Sequence, residues 1–182
     1  MTLNTERLSL VLLDARQYRL WLEALPALEA ELNCRYEGEE LEFTWTETVN
    51  GQTVTECYAD VLRAQLPAVE ADPCNAAWRS FWWIVRGSDR AVLGSANFKA
   101  PPDAAGEVEI GYGLNARHEH NGYMTETVRA LSAWALRQDG VRAVTALTET
   151  DNAASQRVLL RCGFEEAARG DEILWRLVRE AR

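Results

Sequence analysis

The sequence predicts an α/β (α+β) fold organised around a mixed β-sheet. Its early strands, chiefly "SFWWIVRG", "RAVLGSANFKA" and "GEVEIGYGLN", follow one another through short turn signals, which suits antiparallel pairing. In the second half β-rich runs alternate with stretches whose apolar residues recur at three and four positions, as strands joined by helices do. The 182 residues, 47% of them hydrophobic, can bury one core without disulfides or a metal, so a single domain over 1–182 is expected.

"RLSLVLLD" reads as a strand and "ARQYRLWLEALPALEAELN" as a helix running on past Pro26. From Cys34 to Cys57 the pattern blurs into Glu and Thr, with Asn50 and Gly51 set between β-prone runs as a hairpin turn. "ECYADVLRAQLPAVEA" reads as a helix broken near Pro67 and closed before Asp72 and Pro73. "SFWWIVRG" and "RAVLGSANFKA", separated by "GSD", read as an antiparallel hairpin, and a Pro-Pro-Asp loop leads to the strand "GEVEIGYGLN". A helix from Gly122 to Gly140, a strand "RAVTALTE", a short helix "NAASQRVLLRC" and two strands around "GFEEAARG" and "DEILWRLV" complete the chain.

A net charge of −9 and a pI near 4.8 argue against nucleic acid and anionic membranes, which need a basic face, and make a cationic or amine partner easier to hold. Cys34, Cys57, Cys74 and Cys162 include no CxxC pair and read as reduced thiols. The start "MTLNTERLSLVLLDARQ" is too short and too charged in its apolar run for a signal peptide or a membrane span, so a cytoplasmic protein is expected.

Side chains alternate across a strand. In "EVEIGYGL", Val108, Ile110, Tyr112 and Leu114 share one face, and Glu107, Glu109, Gly111 and Gly113 the other. The second face either admits a ligand to the backbone or is a solvated face with glycines at a bulge. A loop ending in Gly122 before a helix exposes unpaired N–H groups at the positive end of the helix dipole, suited to a phosphate or to an ordinary turn. His118 and His120 lie close together, but without HExxH spacing or a cysteine partner no metal site can be drawn. "GYGLNA" fits the letters of a dinucleotide fingerprint, yet no helix follows directly and no acidic residue closes a next strand. GxSxG is absent.

"VEIGYGLNARHEHNGYMTETVRAL", followed after one strand by "TDNAASQRVLLRCGF", resembles the acetyl-CoA-binding half of a GNAT superfamily N-acetyltransferase of the RimJ/RimL-like kind. "TERLSLVLLDARQ" is similar to that group's usual start, so the resemblance covers residues 1–30 and 80–180. Residues 34–77 have no clear counterpart and would be a subgroup-specific insert on the acceptor side. The family pattern has Gln or Arg, two residues, Gly, one residue, then Gly or Ala; here Glu119, His120, Asn121, Gly122, Tyr123 and Met124 stand in those places.

The resemblance implies a mostly antiparallel twisted sheet flanked by helices, with two splayed central strands: the one ending at Asn115 and the one from Arg142 to Thr148. The backbone of Tyr112, Gly113 and Leu114 would bond the pantetheine and the thioester carbonyl, and the loop from Glu119 to Thr125 would hold the pyrophosphate. Asn152 would bond the pantetheine. Ser155, which projects onto the apolar stripe of its helix, would protonate the departing thiolate. Acetyl-CoA is then the co-substrate, and the acceptor a primary amine of a small molecule or of a protein N-terminus, with a cationic acceptor easier to hold, no metal, and an open oligomeric state that includes a homodimer. An alkyl ammonium of pKa about 10 needs a base before it can attack. Glu109, on the glycine-bearing face, is the first candidate, and Glu107 the second. Glu126, on the first helical turn, would complement the helix dipole. The alternative is an acyl-CoA-binding module with lost or regulatory catalysis, suggested by Glu119 and His120.

Overall fold

The computed structural model describes residues 1–38, 41, 44–49 and 52–179; of 45–49 and 52–56 the backbone alone is described. The chain begins with β1 (Thr2–Asn4), β2 (Leu8–Leu12), α1 (Ala15–Glu23) and α2 (Leu25–Leu32). Asp14 opens α1 in a reciprocal cap with Gln17. The one helix expected here is two: Ala24 leaves helical geometry at φ −150° and ψ 55°, and Pro26 falls in the first turn of α2, where a missing N–H breaks no bond.

β3 (Arg35–Tyr36) follows, then β4 (Thr44–Val49) and β5 (Gln52–Cys57) as a separate antiparallel pair with Val49 opposite Gln52. The hairpin is as expected; its turn residues, Asn50 and Gly51, lie outside the described residues. Contrary to expectation, α3 (Tyr58–Ala71) runs unbroken through Pro67. The proline removes one helical hydrogen bond, while buried Leu62, Leu66 and Val69 on either side hold the helix against its neighbours.

α4 (Ala76–Arg79), β6 (Phe81–Arg86), β7 (Ala91–Phe98), β8 (Glu107–Leu114), α5 (Tyr123–Ala135), β9 (Ala143–Glu149), α6 (Ala153–Arg161), β10 (Glu165–Arg169) and β11 (Glu172–Val178) complete the fold. The nine-stranded main sheet runs β1-β2-β6-β7-β8-β9-β11-β10, with β3 on the free edge at the start of β7. β8–β9 and β3–β7 are parallel and the other pairs antiparallel.

Two cores flank the sheet. Trp82, Phe98, Ile110 and Val144 pack with Val128, Leu131 and Trp134 of α5 and Leu159 of α6. Phe81, Trp83 and Val85 pack on the opposite face with Tyr18, Trp21, Leu28 and Leu62 of α1–α3. The four cysteines are free, Cys74 exposed and the others half-buried. No helix among the described residues is long and apolar enough to cross a membrane.

The splay is visible in the register. β8 pairs with β9 from Glu107 opposite Ala143 to Glu109 opposite Thr145, and the ladder then ends although both strands continue. On its other side β8 stays paired with β7 as far as Gly94 opposite Leu114. Gly94 permits that close approach, because a Cβ there would collide with the Gly113 carbonyl oxygen and lie 2.8 Å from Leu114 Cα.

Candidate active site

β8 presents an unpaired backbone edge to the gap. Lys99 N donates to Glu109 O at 2.9 Å and Asn115 N donates to Leu93 O at 3.0 Å. Since bonding direction alternates along a strand, the amides of residues 111, 113 and 115 point to β7, as does the carbonyl of Glu109. Even-numbered residues turn theirs toward β9: Ile110 closes the last rung of that ladder beside Thr145, and Tyr112 and Leu114 face the stretch where β9 has splayed away. On the glycine-bearing face Gly113 is exposed, and a Cβ there would meet nothing within 4 Å.

A cavity of about 400 Å³ opens against this edge. It gathers every residue expected to hold the cofactor except Asn121, and adds Arg157 and Arg161 of α6. At its floor Gly122 takes φ 77° and starts α5 with no side-chain cap. The first helical bond runs from Glu126 N to Gly122 O, leaving the N–H groups of Tyr123, Met124 and Thr125 without intrahelical partners. A side chain at Gly122 would be strained by the left-handed backbone, which explains glycine here.

Asn121 lies outside the cavity lining and braces the loop, its Nδ2 donating to the carbonyls of His118 and Glu119 at 3.2 and 2.8 Å. Arg7 donates to Asn121 O at 2.9 Å and lies over the Tyr123 ring. Glu126 does more than face a dipole: its carboxylate accepts from Thr5 Oγ1, Arg7 N and Arg7 Nε at 2.6–2.8 Å. Burial alone would raise its pKa, but these bonds outweigh burial and hold it below the usual carboxylate range.

The catalytic candidates are distributed as follows. Ser155 Oγ lies 2.7 Å from the Tyr112 hydroxyl. Burial pushes the Tyr112 phenol up to about 12, against the opposing effect of the Ser155 bond. Asn152 caps α6 through Oδ1, which accepts from Ser155 N at 3.0 Å. Glu107 is engaged by Arg176 Nε at 2.8 Å. Glu109 stands on the same face, half-buried, with no side-chain partner among the described residues.

A family model described as "Acetyltransferase (GNAT) domain" matches residues 19–165. The chain belongs to this family. The uncharacterized N-acetyltransferase YjdG of Bacillus subtilis (strain 168) is 37% identical to this GNAT chain over 83 residues, 46% of the chain and 49% of that relative. The chain spans about half the length of the curated relatives it matches. Among solved structures, a ribosomal-protein-S5-alanine acetyltransferase from Vibrio fischeri superposes with a TM-score of 0.66 at 12% identity, covering 99% of this chain and 97% of that one. The RimL ribosomal L7/L12 alpha-N-protein acetyltransferase in complex with coenzyme A does so with a TM-score of 0.62 at 15% identity, covering 98% of each. At these identities the likeness is one of fold.

Two features of this GNAT domain were not anticipated. His118 is not a free loop residue but is buried, its Nε2 2.9 Å from Glu37 Oε2. Glu37 gathers further partners: its N–H donates to Val92 O, its carbonyl accepts from Asn115 Nδ2 and Arg117 Nη2, and Arg35 pairs with its carboxylate. Burial would raise the Glu37 pKa, yet Arg35, His118 and Arg117 together hold it low. His120 is exposed at φ 61°, and among the described residues no three His, Cys, Asp or Glu side chains gather as a metal would need. The second is the Tyr112 hydroxyl. Strand alternation put Tyr112 on the helix-facing side, but only the packing of α6 brings it to Ser155.

Proposed function

We propose that this chain moves an acetyl group from acetyl-CoA directly to a primary amine, of a small molecule or a protein N-terminus, as RimJ/RimL-like N-acetyltransferases do. The observation that carries this reading is the cavity in which an unpaired strand edge, an uncapped helix N-terminus and a pair of hydrogen-bonded hydroxyls meet. Residues 1–182 would act as one domain, with 34–77 on the acceptor side.

The amides of Tyr123, Met124 and Thr125, with the α5 dipole behind them, suit a pyrophosphate, and Arg157 and Arg161 add positive charge to the same wall. The amides that β8 turns toward the gap suit the pantetheine and the thioester oxygen, where N–H groups would stabilise the developing oxyanion. Asn152 retains its Nδ2 for the same chain. The acceptor amine would enter over Gly111 and Gly113. Glu109 would take its proton, directly or through a water, as the nitrogen bonds to the thioester carbon. When the carbon–sulfur bond breaks, the Ser155 hydroxyl would give its proton to the sulfur and be resupplied by Tyr112. Burial keeps the Tyr112 phenol protonated, though as a weaker acid, so it gives its proton only as charge develops on the sulfur, and the phenolate left behind takes a proton back from solvent.

Thermal-shift titration with acetyl-CoA, CoA and NAD, then a free-thiol release assay over an amine panel, tests the reading. Stabilisation by acetyl-CoA and CoA but not NAD, with thiol released in the presence of an amine, is expected. Stabilisation without thiol release from any amine would replace it with the non-catalytic acyl-CoA-binding module, and a response to NAD alone would remove both.

A further inference from the structure

Lys99 is the one lysine among the 19 Lys and Arg residues of this chain, and the mechanism above leaves it unused. It extends the β7–β8 ladder one residue past Phe98, its N–H donating to Glu109 O at 2.9 Å. Its side chain therefore stands on the face of Glu109 and Gly111. The row across that face reads Lys99, Glu109, Thr145 and Arg176, contributed in turn by the end of β7 and by β8, β9 and β11.

Arg176 is occupied by Glu107. Lys99 has no such partner among the described residues, and neither has Glu109, although the two are cross-strand neighbours. The lysine tail instead leans over Gly111, its Cε and Nζ lying 3.2 and 3.3 Å from where a Cβ on that residue would be. Asn97 Oδ1, from a side chain buried in the same face, is 3.0 Å from the same point. A glycine at 111 leaves room for this arrangement. An ammonium and an unpaired carboxylate thus flank the place where the acceptor amine would enter.

We propose that Lys99 reads a carboxylate on the acceptor, and that the amine acetylated is that of an amino acid, with its carboxylate close to its amine. The inference rests on the acetyl-transfer reading above and narrows its acceptor. Glu109 and Lys99, on residues about 5 Å apart across the strands, match the opposite charges of a zwitterion. A polyamine would bring a second cation against Lys99. A protein N-terminus carries its first carboxyl as an amide, which offers the ammonium no charge. The net charge of −9 favours cations at long range, but salt screens that field beyond roughly 10 Å, so the contact at Lys99 decides. The transfer chemistry is unchanged: Lys99 contributes a charge-assisted hydrogen bond and exchanges no proton.

The test follows thiol release by the purified chain with matched acceptors: an amino acid, its primary amide and its decarboxylated amine, over several side chains. The parent is expected to favour the acid over the amide by about tenfold or more in kcat/KM, as a hydrogen bond between charged groups implies. Lys99→Met should bring that ratio toward one, mainly through KM for the acid, and Lys99→Arg should restore most of it. Equal use of amide and acid by the parent, or an unchanged ratio in a folded Lys99→Met protein, overturns the inference. So does acetylation of Lys99 itself, seen by mass spectrometry, with no acceptor consumed. If acetyl-CoA raises the melting temperature but no acceptor releases thiol, the transfer reading itself fails and takes this inference with it. Should Lys99→Met misfold, the acid-to-amide ratio of the parent still decides.

Discussion

Gly94→Ala should damage the cofactor gap from behind. The added methyl would collide with the Gly113 carbonyl oxygen and sit 2.8 Å from Leu114 Cα, both rigid backbone rather than a side-chain end that can swing away. Regaining a carbon–carbon separation of about 3.5–4.0 Å requires β7 and β8 to part by roughly 1 Å. Overpacking of this kind costs about 1–3 kcal/mol, which in a chain of this size lowers Tm by roughly 2–12 °C. The displaced segment is the one whose amides face the gap. Misaligning one or two hydrogen bonds worth about 1 kcal/mol each should weaken acetyl-CoA binding by roughly tenfold. Gly113→Ala is the contrast, since its methyl would meet nothing within 4 Å. It should leave Tm within about 2 °C of the parent, as unstrained surface changes do, and, with the acceptor entering over Gly111 and Gly113 as proposed, raise the acceptor's KM. Differential scanning fluorimetry and calorimetric titration with acetyl-CoA measure both. A Gly94→Ala protein that keeps parental Tm and acetyl-CoA affinity would refute the close-approach reasoning.

Glu109→Gln should slow turnover by about 100-fold to 10,000-fold near neutral pH and recover partly as rising pH deprotonates the amine unaided. Glu107→Gln, which frees only a partly exposed Arg176, should cost at most about 1 kcal/mol of stability and little rate; a matching pH–rate defect would move the base to Glu107. Ser155→Ala and Tyr112→Phe should each lower kcat with acetyl-CoA binding largely kept. If the two hydroxyls act in series, the double variant should be little worse than the more damaging single, whereas additive losses would separate them. Glu126→Gln removes a carboxylate whose pKa is depressed in the folded state. The stability that carboxylate adds is present above its unfolded value and lost as pH falls through the lower folded value. Parent and variant should therefore differ in Tm at pH 7 and converge in acid below about pH 4; a gap constant over pH 3–7 would contradict this.

Where the sequence was legible, short-range rules sufficed. The β6–β7 hairpin follows from two β-rich runs and "GSD", the two faces of β8 from strict alternation, and the start of α5 from Gly122. The two prolines show the limit of such rules. Pro26 ended α1 because Ala24 could leave helical geometry just ahead of it, while Pro67 was tolerated because α3 buries apolar residues on both sides of it. Neither outcome is written within a few residues of the proline. The same holds in the site. The hydrogen bond joining Tyr112 to Ser155 spans 43 positions and the pairing of Glu37 with His118 spans 81. Periodicity assigns a residue to a face but cannot say which distant side chain packs against it.

Lys99 also bears on the chemical inertness of the chain. Guanidinium groups stay protonated and do not attack activated acyl groups as a lysine amine can, so of its 19 Lys and Arg side chains the protein presents one as a nucleophilic amine. Stray acylation by a thioester has one lysine to silence, beside Gly111, where the acceptor is proposed to enter. An amine-directed label should mark that residue and no other side chain of its class, and its yield would report directly on whether the path is open or filled.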